Sequence, residues 1–154
     1  MTVLKIKQGA TYSFGFTWRE VELDGDGNPV KDSDGKYVLG DPIPLTGCSA
    51  QMQVRRKIGE SVLIKATSES PLTSGVLDPD KVADGAGRIF LEKNGATGHI
   101  GVTLTYEDTM KLVSKSAVFD LEVTWPLQPD EILPERRRPL EGTIEVDLNV
   151  TVDS

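Results

Sequence analysis

Apolar and polar residues alternate with a period of two through five stretches of this chain, and that pattern restricts what it can fold into. Successive side chains of an extended strand point to opposite faces, so each stretch describes a strand with one face on a core and one in water. Tyr12, Phe14, Phe16 and Trp18 alternate with Thr11, Ser13, Gly15 and Thr17. Cys48, Ala50, Met52 and Val54 alternate with Ser49, Gln51, Gln53 and Arg55. Ile100, Val102, Leu104 and Tyr106 alternate with Gly101, Thr103 and Thr105. Ala117, Phe119, Leu121, Val123 and Trp125 alternate with Val118, Asp120, Glu122 and Thr124. Leu140, Ile144, Val146, Leu148 and Val150 alternate with Glu141, Thr143, Glu145, Asp147 and Asn149. Each reads as an antiparallel strand, and the threonines on the wet faces suit a pleated surface.

Weaker strand signals lie at Val3–Lys7, Val62–Thr67 and Arg88–Glu92. One stretch is helical in character. Thr105 stands as an N-cap with Asp108 three residues on, and Met110, Leu112 and Val113 follow as a short apolar stripe, so one or two turns are expected over Tyr106–Leu112. Turn-formers fall between the strands. Asp24-Gly25-Asp26-Gly27-Asn28-Pro29 and Asp32-Ser33-Asp34-Gly35 make Trp18–Leu39 a long hairpin excursion. Ser68–Gly87 reads as a loop, and so does Pro126–Pro139, because proline cannot donate in a ladder. No internal repeat with a stable period is apparent. Together these elements predict an all-β protein, an antiparallel Ig-like β-sandwich of seven to eight strands with one short helix. A small barrel is the competing closure. At 154 residues the chain suits one domain, 1–154, with a hairpin insertion at about 20–40 and a proline-rich loop at about 126–139.

Composition removes several functions. Lys and Arg number 17 against 24 Asp and Glu, a net charge of −7 that disfavours unspecific phosphate binding. The single cysteine, Cys48, rules out an internal disulfide framework and a cysteine-rich zinc site. The single histidine, His99, rules out a site needing two imidazoles. No apolar run reaches the ~18 residues of a membrane-spanning helix. Met1-Thr2-Val3-Leu4-Lys5 lacks the basic and apolar regions of a signal peptide, so the expected compartment is a reducing cytoplasm or an assembly built there.

The motifs that suggest chemistry have simpler explanations. Asp24-x-Asp26-x-Asn28 begins like a calcium loop, but the sixth position is Pro29 and the twelfth is Gly35, where glycine and a bidentate glutamate are needed. Asp32-x-Asp34 would have to share an ion with it across the hairpin. Turn chemistry accounts for every residue of both. Glu107-Asp108 and the row Glu141, Glu145, Asp147 are the carboxylates open to acid–base work, and the row reads as a solvated face that discourages edge pairing. His99 opens a strand without a nucleophile motif, and Cys48 reads as a small buried residue. Asp84-Gly85-Ala86-Gly87 is a turn, with no phosphate-binding helix after it. Asn149-Val150-Thr151 is a chance glycosylation sequon. Arg55-Arg56-Lys57 and Arg136-Arg137-Arg138 are basic clusters in an acidic chain, suited to docking on an acidic partner.

The succession of these segments is more specific than any one of them. Lys7-Gln8-Gly9-Ala10-Thr11-Tyr12-Ser13-Phe14 is followed by Pro42-Ile43-Pro44-Leu45-Thr46-Gly47-Cys48-Ser49-Ala50-Gln51-Met52-Gln53-Val54-Arg55, then by Gly87-Arg88-Ile89-Phe90-Leu91. Val102-Thr103-Leu104-Thr105-Tyr106-Glu107-Asp108-Thr109, Val118-Phe119-Asp120-Leu121-Glu122-Val123-Thr124 and Leu140-Glu141-Gly142-Thr143-Ile144-Glu145-Val146 complete it. This order resembles small β-sandwich proteins of tailed-bacteriophage virions, above all the N-terminal module of baseplate upper proteins and related short tail proteins. The excursion at Leu23–Leu39 and the loop at Pro126–Pro139 are longer than in that module.

The resemblance implies a non-enzymatic structural component of a virion, assembled in the host cytoplasm in several symmetric copies. A tail or baseplate adaptor is the expected role, with a capsid-decoration or head–tail component as the alternative, or a carbohydrate or cell-surface binder. Its partners would be other virion proteins and copies of itself, with no nucleic acid, no membrane, and a possible host-surface glycan. No catalytic residue, cofactor or metal is expected. The candidate partner-binding residues are Asp26, Asn28, Asp34, Tyr37, Arg136, Arg137 and Arg138. For a glycan the aromatic platform would come from Tyr37, Trp18 or Trp125, although alternation turns both tryptophans toward the core.

Overall fold

A computed structural model describes residues 2–69, 72–73, 76–77, 84–92 and 97–148. Half of the expected loop Ser68–Gly87, and the end of the last strand with its sequon, lie outside them; within the described half the reading as loop is corrected by a short pair of strands, Leu72–Thr73 with Val76–Leu77. In chain order the strands are β1 (Thr2–Lys7), β2 (Tyr12–Thr17), β3 (Arg19–Val21), β4 (Leu39–Pro42), β5 (Ser49–Arg55), β6 (Val62–Thr67), β7 (Leu72–Thr73), β8 (Val76–Leu77), β9 (Ile89–Leu91), β10 (His99–Leu104), β11 (Ser116–Thr124) and β12 (Arg136–Asp147). One helix, α1 (Tyr106–Met110), lies between β10 and β11. Eight strands form the body: a five-stranded sheet in the order β1-β12-β11-β5-β6 and a three-stranded sheet in the order β2-β10-β9. The remaining strands pair as β3-β4 and β7-β8. The fold is all-β and sandwich-like.

The core follows from the alternation. Ala117, Phe119, Leu121 and Val123 of β11 are buried, as are Ala50, Met52 and Val54 of β5 and Ile144 and Val146 of β12. Ile89, Ile100, Val102 and Leu104 of the smaller sheet belong to the same cluster, with Tyr12, Phe14 and Phe16 packed at its side. The intervening residues Val118, Asp120, Glu122 and Thr124 are only partly covered.

Three further expectations need correction. The last strand is antiparallel to β11 on one side but parallel to β1 on the other, with Leu4 opposite Ile144 and Ile6 opposite Val146. No hairpin joins β1 to β12, so no turn imposes the antiparallel direction. A Cβ at Gly142 would sit 1.8 Å from the Thr2 carbonyl oxygen, so the absent side chain is what lets the β1 backbone come close. As a result β12 is not an edge. Its carboxylates Glu145 and Asp147 lie opposite Lys5 and Lys7, where the charges are complementary across strands.

Secondly, Pro126–Pro139 is not loop throughout. β12 already begins at Arg136, and the Trp125 N–H donates to the Glu135 carbonyl at 2.9 Å to close the shorter loop. Pro139 fits because the β11–β12 register slips between Leu121 and Val123, and a residue without an N–H is tolerated at such an irregularity. Thirdly, the helix ends at Met110, with Lys111 as its C-cap, short of Leu112. Its start is as expected. The Thr105 hydroxyl accepts the Asp108 N–H at 3.1 Å, and the Asp108 carboxylate accepts the Thr105 N–H at 2.9 Å. The same carboxylate takes the Arg88 Nε–H at 3.0 Å, so the buried charge is both paired and hydrogen-bonded. Thr109 anchors the helix to the β1–β2 turn, accepting from the Gly9 N–H at 3.0 Å and donating to the Ala10 carbonyl at 2.9 Å.

Phe119 is 4% exposed at the centre of this packing. Phe119→Ala is expected to destabilise the protein by about 3–5 kcal/mol, the range for a deleted core aromatic. Chemical denaturation measures it, and an unchanged midpoint would contradict the assigned inner face.

Candidate partner-docking surfaces

Residues 19–42 form an arm that folds on itself. Residues 19–29 and 31–37 are all exposed, and only Val30, Val38, Gly40 and Pro42 are partly covered. Two eight-residue units build it, Glu22–Pro29 and Val30–Tyr37, and a third would begin at Val38. In the first, Asp24 Oδ1 accepts the Asp26 and Asn28 N–H groups at 2.9 and 3.0 Å. In the second, Asp32 Oδ1 accepts the Asp34 and Lys36 N–H groups at the same two distances. Gly27 and Gly35 close the turns at φ 81° and 79°, a region that glycine enters without strain. Bridges between Leu23 and Pro29 and between Lys31 and Tyr37 repeat with the same period.

The units are joined by a closed triangle of backbone bonds. The Glu22 N–H donates to the Val38 carbonyl, the Val30 N–H to Glu22, and the Val38 N–H to Val30, at 2.8–2.9 Å. Backbone groups that would otherwise need water or a sheet are satisfied inside the arm. This corrects the expectation of no internal repeat. The spacing of eight was present in D-x-D-G at Asp24 and Asp32, but two copies are too few to stand out before their bonds are seen.

The arm carries four of the seven candidate residues, Asp26, Asn28, Asp34 and Tyr37. The oxygens that shape its turns belong to Asp24 and Asp32, and they are committed to backbone donors. Among the described residues no group of three or more His, Cys, Asp and Glu side chains is placed to hold a metal. Tyr37 remains 54% exposed, with the Lys31 ammonium 5.2 Å from its ring centre. Val21, Leu23 and Leu39 are also exposed, and Val21 lies opposite Leu39 in the β3–β4 pair. These three were not singled out by the sequence, because their alternation is broken by the turns between them.

The three arginines do not form one cluster. The pleat divides them. Arg136 and Arg138 lie 3.7 and 3.9 Å from the Glu122 carboxylate, and Arg138 lies 3.5 Å from Glu141. Arg137 turns the other way, 5.4 Å over the Trp125 ring, with its Nε–H on Glu135 at 2.9 Å. Trp125 stacks obliquely on Trp18 at 5.7 Å and donates its indole N–H to the Pro44 carbonyl at 3.1 Å. Both tryptophans are packed against the core, so Tyr37 is the only one of the three expected platform residues presented to solvent.

A groove of about 800 Å³ crosses the outer face of the large sheet. Gln53, Val118, Asp120, Glu141 and Thr143 line it, and the β5–β6 turn adds Arg55, Ile58 and Glu60. Arg56 and Glu60 are tied by two hydrogen bonds of 2.9 and 2.7 Å, which hold the glutamate's carboxyl below its ordinary range. Ile58 is 89% exposed beside them. A second groove, about 510 Å³, is lined by Cys48, Gln51, Ser68, Glu122 and Arg136. Cys48 is half-buried at its rim instead of fully buried. Burial and the negative charge of Glu135 push its thiol up, which opposes the thiolate form a nucleophile needs. Asp108, one of the carboxylates considered for catalysis, is taken up by the helix cap and Arg88.

Asp32→Ala is expected to loosen the arm's second turn by about 1 kcal/mol, the worth of a typical hydrogen bond, and to leave the body unchanged. Amide hydrogen exchange would then quicken at Asp34 and Lys36 but not at Val54 or Leu121. Faster exchange through both sheets would make the arm integral to the core. Compared with protein-family models and with curated protein sequences, the chain matches none.

Proposed function

We propose that this chain is a non-enzymatic structural component of a tailed-phage virion, a tail or baseplate adaptor that assembles in several symmetric copies. The observation that carries the reading is the arm, a self-bonded projection with exposed Val21, Leu23, Tyr37 and Leu39, set on a body whose own core is complete. A two-stranded hairpin is marginal in water unless something packs on it, and exposed apolar residues on such an arm are what a partner would cover. The succession of sequence segments that resembles baseplate upper proteins supports the same reading. A carbohydrate-binding role is the weaker alternative, since Trp18 and Trp125 stack against each other and the core, leaving Tyr37.

Two measurements test this. The protein is expected in purified particles, in a stoichiometry matching a ring or a lattice, and its confinement to the soluble lysate would refute the proposal. Deleting Gly25–Asp34 is expected to leave the cooperative unfolding transition intact and to reduce incorporation into particles severalfold. Full incorporation of the deletion would remove the arm from the contact.

A further inference from the structure

We propose that copies of this chain associate head to tail, the acidic arm of one copy docking on the basic β5–β6 turn of the next. The inference rests on the multi-copy reading above and names the contact. Residues 19–42 contain seven acidic and three basic side chains, a net charge of −4 out of the chain's −7. The turn at residues 55–61 contains three basic side chains and one acidic, a net charge of +2. Each charged surface also carries exposed apolar side chains, Leu23, Tyr37 and Leu39 on the arm, Ile58 and Val62 at the turn. An apolar centre with a charged rim of opposite sign on the partner is the anatomy of a specific interface.

The alternative basic site, Arg136–Arg138, is already neutralised within the chain by Glu122, Glu135 and Glu141. Among the described residues, Arg56 is the one basic side chain of the turn with a carboxylate partner at salt-bridge distance, Glu60, while Arg55 bonds the neutral amide of Gln53 at 2.7 Å. Arg55 therefore keeps its charge available.

Geometry directs the contact between copies. The arm is rooted where the Ile43 N–H donates to the Trp18 carbonyl and the Trp18 N–H to Gly98, beside Pro44 and Trp125. Trp125 follows Thr124, which lies opposite Ser49 at one end of β5. The basic turn leaves the other end, after Arg55 opposite Val118. Six residue steps along the strand separate these ends by about 20 Å. No arm residue lines the groove beside the turn. Two complementary surfaces at opposite ends of one body make a heterologous contact, which closes into a ring if the rotation per copy allows it and otherwise extends as a filament.

The test uses the full chain in sedimentation velocity at low and high salt. The expected result is self-association at about 0.05 M salt that weakens at about 0.5 M, as a charge-steered contact should. Asp26→Lys with Asp34→Lys is expected to weaken it about tenfold, and so is Arg55→Glu with Lys57→Glu. Asp26, Asp34 and Lys57 are exposed and Arg55 is partly covered at the end of β5, and circular dichroism checks each fold. Mixing the two double variants is expected to restore association, because the reversed arm then meets the reversed turn. A chain that stays monomeric at low salt, or variants that associate like the parent, or a mixture that fails to associate, would overturn the inference. If the chain is nevertheless found in particles, the virion reading stands and only this contact falls.

Discussion

The inner face of β11 is the constraint on which the body depends. Ala117, Phe119, Leu121 and Val123 are 0–4% exposed, and the strand has a partner on both sides, β12 and β5. Facing apolar rows stay dry only when both neighbours keep register, since a slip of one residue turns every side chain over. Leu121 lies between Met52 and Leu140, and Phe119 between Val54 and Gly142. The smaller sheet covers this face, and α1 and the β1–β2 turn are locked together at the margin by Thr109. The ion pair between Arg88 and Asp108 then ties the approach to β9 to the helix cap.

The arm is built on a different principle. It buries little, and its shape comes from backbone bonds, two aspartate carboxylates and two glycines at positive φ. Such a structure persists without a core because many of its polar backbone groups find partners within the arm. That economy frees its outer side chains for contact. The body and the arm thus divide the work, the first supplying rigidity and the second an adaptable surface.

Much of this was legible in the sequence. The alternating stretches placed the buried rows of β5, β10 and β11, and the Thr105–Asp108 capping arrangement placed the start of α1. The Asp-Gly and Asp-Ser turns marked the excursion. What escaped reading depends on contacts. The candidate arginines looked like one basic cluster because sequence adjacency hides the pleat, which sends Arg137 to Trp125 and its neighbours to Glu122. Asp26 and Asp34 looked equal to Asp24 and Asp32, and only the bonds separate the carboxylates that hold the turns from those left at the surface. Ile58 gave no signal at all, since a single exposed apolar residue in a turn has no period.

By itself the sequence determined the local events: which stretches extend, which face of each is apolar, where the chain turns and where the short helix begins. Side-chain alternation, capping and turn geometry act over a few residues, so they can be read from spacing. The tertiary structure alone decided that β1 runs parallel beside β12, with partners 140 positions apart, and that Glu145 and Asp147 of β12 stand opposite Lys5 and Lys7. It also decided which charges remain for a partner. Those outcomes depend on backbone approach between distant segments, where a missing Cβ at Gly142 counts for more than any local preference.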